Sequence, residues 1–241
     1  MIRIIIISAV LLIGCNKPNE RSCWKGAGKM ISETRELANK TVINIFDDAD
    51  VILIQDNLNY IEVDSYSNLA SFIETKSIDT AIEIRNLNKC NFIRDKSIQN
   101  TITIHFSDIQ TLNLYGTGKV NFIGEIIQNN LEINSYKSRS EFILNISCHK
   151  LECVFMEGSI NANISGSSDT TYLYQSKHSI VNASNLTNSY LHFSNRSTGD
   201  GYVGHTNMLA VELLDVGNIY YKGNPAIKIL ADIGLGNVIA E

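Results

Sequence analysis

Proline is scarce: Pro18 and Pro225 are the only two in 241 residues. Proline cannot donate to a strand ladder, so little in the chain forbids continuous sheet. Tryptophan occurs once, and aromatic residues make up 8% of the chain. Basic residues number 20 against 25 acidic, a formal charge of −5, and no stretch is strongly basic. Nucleic-acid binding needs a clustered positive surface, so nucleic acid is excluded as a partner. No apolar run approaches the roughly 20 residues that cross a bilayer as a helix.

The signatures of catalysis are missing as well. The five histidines, His105, His149, His178, His192 and His205, form no pair at metal-ligand spacing. The cysteines form no C-x2-C pair, and Cys148 and Cys153 read as small buried hydrophobes in adjacent strands. No nucleophile elbow, P-loop or dinucleotide fingerprint occurs. Gly199-Asp200-Gly201 is an isolated fragment of calcium-repeat chemistry and reads as a plain turn. Asp108, Asp169, Asp200, Asp215 and Asp232 are dispersed along the chain. Glycoside cleavage needs two carboxylates facing each other across the bond. The sequence therefore predicts no catalytic residue, no cofactor and no metal.

What is present begins at the N-terminus. Arg3 precedes a short apolar run, Ile4 to Ile13, which ends in Leu12-Ile13-Gly14-Cys15. A short apolar core behind a basic start is a signal-peptide pattern. Its last four residues resemble the bacterial lipobox, in which the cysteine is acylated and becomes the mature N-terminus. The expected division is a signal peptide over 1–14, lipidation at Cys15 and a polar tether over 15–22. Such a chain contacts the membrane through lipid and belongs to the bacterial cell envelope, in the outer membrane facing the periplasm or at the cell surface.

Beyond the tether, isoleucine and valine recur in short runs bounded by Asn, Ser, Gly and Asp. This is strand-and-turn chemistry. Strands are predicted at 42–46, 51–55, 60–65, 81–86 and 101–106, mostly with one apolar and one polar face. The only plausible helix is Ser32 to Lys40. Past residue 105 similar segments start at Leu112, Leu131, Leu151, Tyr172, Tyr190, Leu209 and Ile227, at nearly even intervals. A period of roughly 20 residues with two short strands per unit is a solenoid signature, because one rung cannot bury its apolar face alone. The expected fold is all-β. An N-terminal β-strand region (23–105) leads into a right-handed parallel β-helix over 106–241. Regular spacing also fits an up-and-down antiparallel sheet.

Side-chain parity then marks a face. In Tyr172-Leu173-Tyr174, an inward Leu173 turns both tyrosines outward. In Tyr190-Leu191-His192-Phe193, Tyr190 and His192 point out. With the two segments taken as one rung apart, stacking is expected to put Tyr190 beside Tyr172 and His192 beside Tyr174. Flat rings in a row suit a sugar or a protein partner.

Several blocks resemble the head GIN domain family, the auto-transporter adhesin type common in Bacteroidetes. They are Cys23-Trp24-Lys25-Gly26-Ala27-Gly28-Lys29, Asp50-Val51-Ile52-Leu53-Ile54-Gln55-Asp56, Asn88-Lys89-Cys90-Asn91-Phe92-Ile93-Arg94 and Leu112-Asn113-Leu114-Tyr115-Gly116-Thr117-Gly118. Trp24 stands where the family commonly has Phe, and Phe92 where it commonly has Trp. The resemblance implies a β-helix and an envelope location, and no established activity. Its cysteine blocks imply a Cys23–Cys90 disulfide. The functional expectation is a non-catalytic binding or adhesion module whose partner is a glycan or a cell-surface protein. A structural periplasmic lipoprotein and a β-helix polysaccharide-active enzyme stand as alternatives.

Overall fold

A computed structural model describes residues 26–89, 100–136 and 139–241. Cys15, Cys23 and Cys90 lie outside the described residues, as do the signal segment and the tether. The described elements are strands, apart from one 3₁₀ turn at Ala70–Phe72. They are β1 (Met30–Glu36), β2 (Val42–Asp47), β3 (Asp50–Gln55), β4 (Tyr60–Tyr66), β5 (Ile73–Ile78), β6 (Ala81–Asn86), β7 (Thr101–Phe106), β8 (Thr111–Leu114) and β9 (Thr117–Ile123). There follow β10 (Ile126–Tyr136), β11 (Arg139–Met156), β12 (Ser159–Lys177), β13 (Ile180–Ser197), β14 (Gly201–Leu213), β15 (Ile219–Lys222), β16 (Ala226–Asp232) and β17 (Val238–Ala240).

From β10 onward every pairing is parallel, and the rungs repeat at a nearly constant step: Leu131 sits opposite Leu151, Leu151 opposite Thr171, and Thr171 opposite Leu191. The long strands β10 to β14 run through corners, so a single strand serves two or three walls of the stack. A first wall carries the residues that begin near Leu131, Leu151, Thr171, Leu191 and Leu209. A second wall stacks β7, β3, β9 and the opening segments of β11 to β14. A third wall links second to first through residues 126–130, 146–150, 165–168 and 185–188. Gly166 makes the turn onto the third wall with φ +106°, and a Cβ there would fall 2.0 Å from the Ile146 carbonyl oxygen.

The core is the set of inward columns shared by these walls. One column on the first wall runs Ile82, Ile43, Leu112, Ile133, Cys153, Leu173, Phe193 and Val211. Every member is buried. Alternate residues along each strand face inward, and stacking joins the faces that single rungs cannot hide.

Four expectations need correction. Parallel pairing starts at Val42, not near residue 105: β2 pairs with both β6 and β8, and β3 with both β7 and β9. The rung 42–55 is therefore inserted between the rung 81–106 and the rung 111–123, out of sequence order. Its neighbours β4 and β5 run antiparallel against β7 and β6 and close that end. Second, Ser32 to Lys40 holds no helix. Met30–Glu36 is strand β1, paired antiparallel with β4, and pairing at a sheet edge overrides the helix propensity of Glu and Arg. Third, Cys148 and Cys153 are not in adjacent strands; both lie in β11, on either side of a corner. Fourth, the stacking of the tyrosine segments differs, as described next.

Candidate functional site

On the first wall Leu173, Leu191 and Phe193 are buried in the core, and Tyr172, Tyr174, Tyr190 and His192 are half-buried on the outside. Their mutual register is not the one that matching the tyrosine motifs gives. Tyr172 lies opposite His192, Tyr174 opposite Ser194, and Tyr190 opposite Thr170. The rung is already one residue longer than the motif spacing where Asn163 meets Asn182, and a register shift beyond that pair adds a second. Asn163 still pairs with Asn182, but Ser165 pairs with Asn185, so the step to the next rung lengthens there. The ladder aligns on the inward pair Leu173–Phe193, so matching the tyrosines by motif slips the rung by two positions.

The four residues thus separate into different environments. The Tyr172 and His192 rings meet edge to face, with centroids 5.0 Å apart. His192 Nε2 lies 3.4 Å from Glu212 Oε1, while Ser194 Oγ donates to Glu212 Oε2 at 2.6 Å. Burial, followed by the charges of Glu212 and Glu152, holds the Tyr172 hydroxyl above its usual range. Tyr174 stands between Val154 and Ser194, with no ring against it among the described residues. It borders a cleft of about 270 Å³ that also receives Lys177, Arg196 and Asp215.

Sequence reasoning missed a second aromatic row on the same wall. Arg85 lies 3.9 Å over the Phe46 ring, Phe46 stacks on Tyr115 at 4.7 Å, and Tyr115 stacks on Tyr136 at 5.0 Å. Tyr115 and Tyr136 are separated in sequence by one rung length, a signal that could have found this pair. Phe46 and Tyr115 are not, because the rung that carries Phe46 is inserted out of order. Both faces of Tyr115 are covered by rings, and Phe46 lies between Tyr115 and the Arg85 guanidinium. Beside Tyr115 opens a second cleft, of about 410 Å³, lined by Asp47, Asp48 and Asn88 among others.

The third wall carries a third cleft, about 550 Å³, along Gln128, Cys148, Ser168 and Asn188. At its rim His149 Nδ1 meets Asp169 Oδ2, with both side chains about two-thirds exposed. Burial pushes the Cys148 thiol up to about 11, and the nearby Asp169 adds to the shift. A thiol held protonated is a poor nucleophile at neutral pH. Burial raises the Cys153 thiol further, and no cation offsets either shift. The Ser168 hydroxyl is hydrogen-bonded to Thr171 Oγ1. His105, between Asp56 (3.3 Å) and Glu62 (3.9 Å), stacks on Tyr60 and meets no nucleophile among the described residues. Among the described residues no three His, Cys, Asp or Glu side chains converge as a metal site would require. No described helix is long and apolar enough to cross a membrane.

These features define a parallel β-solenoid with open surface clefts and, among the described residues, no assembled catalytic group. The sequence profile of the family "Putative auto-transporter adhesin, head GIN domain" matches residues 41–225, and the chain belongs to that family. A putative adhesin from Bacteroides fragilis shares the fold with a TM-score of 0.81 at 20% identity, over 88% of this chain and 97% of that one. A putative adhesin from Parabacteroides distasonis gives 0.67 at 18% identity, over 89% and 98%. A putative lipid binding protein from the same species gives 0.65 at 17% identity, over 90% and 98%. No curated protein matches the chain.

Proposed function

We propose that this chain is a non-catalytic binding module of the adhesion type, held at the bacterial cell envelope by lipid on Cys15. The observation that carries the reading is Tyr174. Its ring has no aromatic partner among the described residues to occupy its faces. It borders a cleft with charged groups of both signs, Lys177, Arg196 and Asp215. A tyrosine of this kind offers a flat apolar face and a polar tip, the chemistry favoured at binding surfaces. Tyr172, Tyr190 and His192 extend the same wall. The expected partner is a glycan or a cell-surface protein, in keeping with the names given to the family and to the Bacteroides and Parabacteroides relatives. The test is binding of the purified chain to glycan and surface-protein arrays. Tyr174→Ala and Tyr190→Ala should each abolish the signal while the melting temperature falls little. Intact binding with a large stability loss would overturn the reading.

The anchoring part has its own measurements. Residues 1–14 act as the signal, 15–22 as the tether, and the remainder as one envelope domain in which the N-terminal β region (23–105) supplies the first rungs and their antiparallel cover and 106–241 continues the solenoid. Cys15→Ala should leave the protein unacylated and shift it out of the membrane fraction; an unmodified Cys15 in the mature wild type overturns the anchor. A Cys23–Cys90 bridge should appear in a non-reducing peptide map. The solenoid is assigned a right-handed winding, the hand that parallel crossover connections almost always take. A structural role for the envelope is the second reading. It is favoured by the Phe46–Tyr115–Tyr136 stack, whose central ring has both faces covered within the protein.

A further inference from the structure

We infer that the second wall, over β3, β9 and the start of β11, is a docking face for a protein segment that presents apolar side chains flanked by lysine or arginine. It lies on a different wall from Tyr174 and goes beyond the reading given to that residue.

The first observation is a patch of exposed isoleucine. On β3 the buried residues are Val51 and Leu53, so Ile52 and Ile54 face outward. Ile54 lies opposite Ile123 on β9, and in the neighbouring column Ile52 and Ile143 flank Asn121. Ile123 is 53% exposed and Ile143 49%. Around the corner, at the start of the third wall, Ile127 is 65% exposed. Its main chain is clamped by a side chain of β3. Gln55 Oε1 accepts from the Ile127 N–H at 2.7 Å, and Gln55 Nε2 donates to the Ile127 carbonyl at 2.8 Å. A side chain held out in water on a fixed backbone has less ordering left to lose on binding. Single exposed apolar residues are ordinary; a contiguous group marks a contact surface. Strand formation does not require isoleucine at these positions. Beyond Ile143 the same column carries Asn163 and Asn182, and the column beside it carries Asn145, Ser165 and Asn185, all within the parallel ladder.

The second observation is charge, and it selects the occupant. The outward series of β3 begins at Asp50, and Asp56 follows Ile54 just past the strand. Glu125 follows Ile123, and Glu141 precedes Ile143. Glu62 stands in the column of Ile52, across Thr103. Against these five carboxylates the same strands carry two cations. One, Lys119, is tied to Glu141 at 2.9 Å; the other, Arg139, is the first residue of β11. His105 is enclosed by Asp56 and Glu62. An anionic bilayer or a polyanion is repelled by such a rim. Two copies meeting through this same face would set like charges against each other. A sugar chain gains no hydrogen bond from the isoleucine side chains and finds no flat ring among them. The complement of an apolar centre with an acidic rim is an apolar centre with a basic rim.

The experiment is a fluorescence-anisotropy titration of the full chain with three labelled peptides. One has an Ile-Gly-Ile centre flanked by paired lysines, one the same centre flanked by paired glutamates, and one a Gly-Ser-Gly centre flanked by paired lysines. The first should bind at least tenfold more tightly than either of the others. Its affinity should fall several-fold when salt is raised from about 0.02 M to about 0.5 M. Ile123→Asn combined with Ile143→Asn should weaken it at least tenfold, and Glu125→Lys several-fold, with melting temperatures near wild type. If the double variant fails to fold, Ile127→Asn replaces it at a site 65% exposed, with a several-fold loss expected. Failure of the first peptide to bind overturns the inference, and so does binding that survives these substitutions or is matched by the glutamate peptide. A wild-type dimer that the double variant dissolves, seen by sedimentation, also overturns it, because the face then meets a second copy. Tyr174→Ala should leave peptide binding intact; a loss there puts the peptide on the first wall and overturns the inference as well. Array binding that depends on Tyr174, with no peptide binding, removes this face and leaves the adhesion reading standing.

Discussion

The two ends of the stack solve the same problem differently. At the first end, β5 lies antiparallel on β6, and β4 lies antiparallel on β7 with β1 beyond it. Beneath these strands Ile61, Val63, Ile84 and Ile104 are fully buried. At the other end, Leu209 and Val211 are fully buried, but their ladder partners one rung on, Ile227 and Ile229, are 41% and 54% exposed. Sequence and wall position are alike; only the cover differs. Burying an isoleucine side chain completely contributes about 1.5–3 kcal/mol, so the last rung forgoes roughly half of that at each such position. A reversed strand at one end supplies the neighbour that the other end lacks.

The strongest way to break this comparison is one charge at each end. Val63→Asp buries a carboxylate under the antiparallel strands with no cation prepared for it. It should destabilise by about 4 kcal/mol or more and drive the protein to aggregate. Ile229→Asp places the same group at a half-exposed site and should leave a cooperative urea transition. Equal losses at the two ends would mean that the antiparallel strands do not act as cover.

The middle of the stack is the next test. Phe193 is fully buried between Leu173 and Val211. Phe193→Ala should cost about 3–5 kcal/mol, as a large core cavity does. Ile229→Ala, in the same column, should cost under about 1 kcal/mol, because a half-exposed side chain leaves no sealed cavity. Urea midpoints of the two variants against wild type check the difference.

This contrast also shows what the sequence carried. Alternation in Ile82-Glu83-Ile84-Arg85 and Ile61-Glu62-Val63-Asp64 was legible because one face of each strand is wet, and both segments are strands β6 and β4. The period of the rungs was legible because every middle rung buries the same kind of residue. The insertion of 42–55 between later rungs was not, because hydrophobic pattern reports a face and says nothing of which strand lies beside it. The outward parity of Tyr174 came from Leu173. Its neighbour did not, since the extra residue that β13 carries between Asn182 and Asn185 alters the offset without changing the alternation around Leu173 or Leu191.

A smaller effect belongs to the cysteines of β11. Cys148 is raised to about 11 and Cys153 higher still, both chiefly by burial, so the folded chain holds protons that the unfolded chain releases near pH 9. The unfolded state then binds fewer protons, and stability falls as pH rises from about 9 towards 11. Below pH 8 these thiols should contribute no pH dependence. Cys148→Ser should flatten part of the alkaline slope in a series of urea midpoints. Slow thiol labelling of the folded protein at pH 8 would agree; a stability that rises through pH 10 would contradict it.

The smallest expected effect is the sharpest statement about the open end. Ile233 and Leu235 are both 81% exposed, although their backbone is tied down: the Ile233 N–H donates to the Leu213 carbonyl and the Leu235 N–H to the Asp215 carbonyl, each at 3.0 Å. Side chains that already face water have little burial to lose. Leu235→Lys and Ile233→Lys should therefore shift stability by no more than about 0.5 kcal/mol, the range of ordinary surface changes. The main-chain bonds survive either substitution, so amide hydrogen exchange in β16 should be unchanged. Sedimentation of wild type and variants at the same concentration completes the measurement. If both lysines leave the urea midpoint and the sedimentation coefficient in place, the end is a free surface in solution. If either variant loses more than about 1 kcal/mol, beyond the surface range, or sediments more slowly than wild type, these side chains are covered by a second copy. The stack would then be closed at both ends, by its own strands at one and by association at the other.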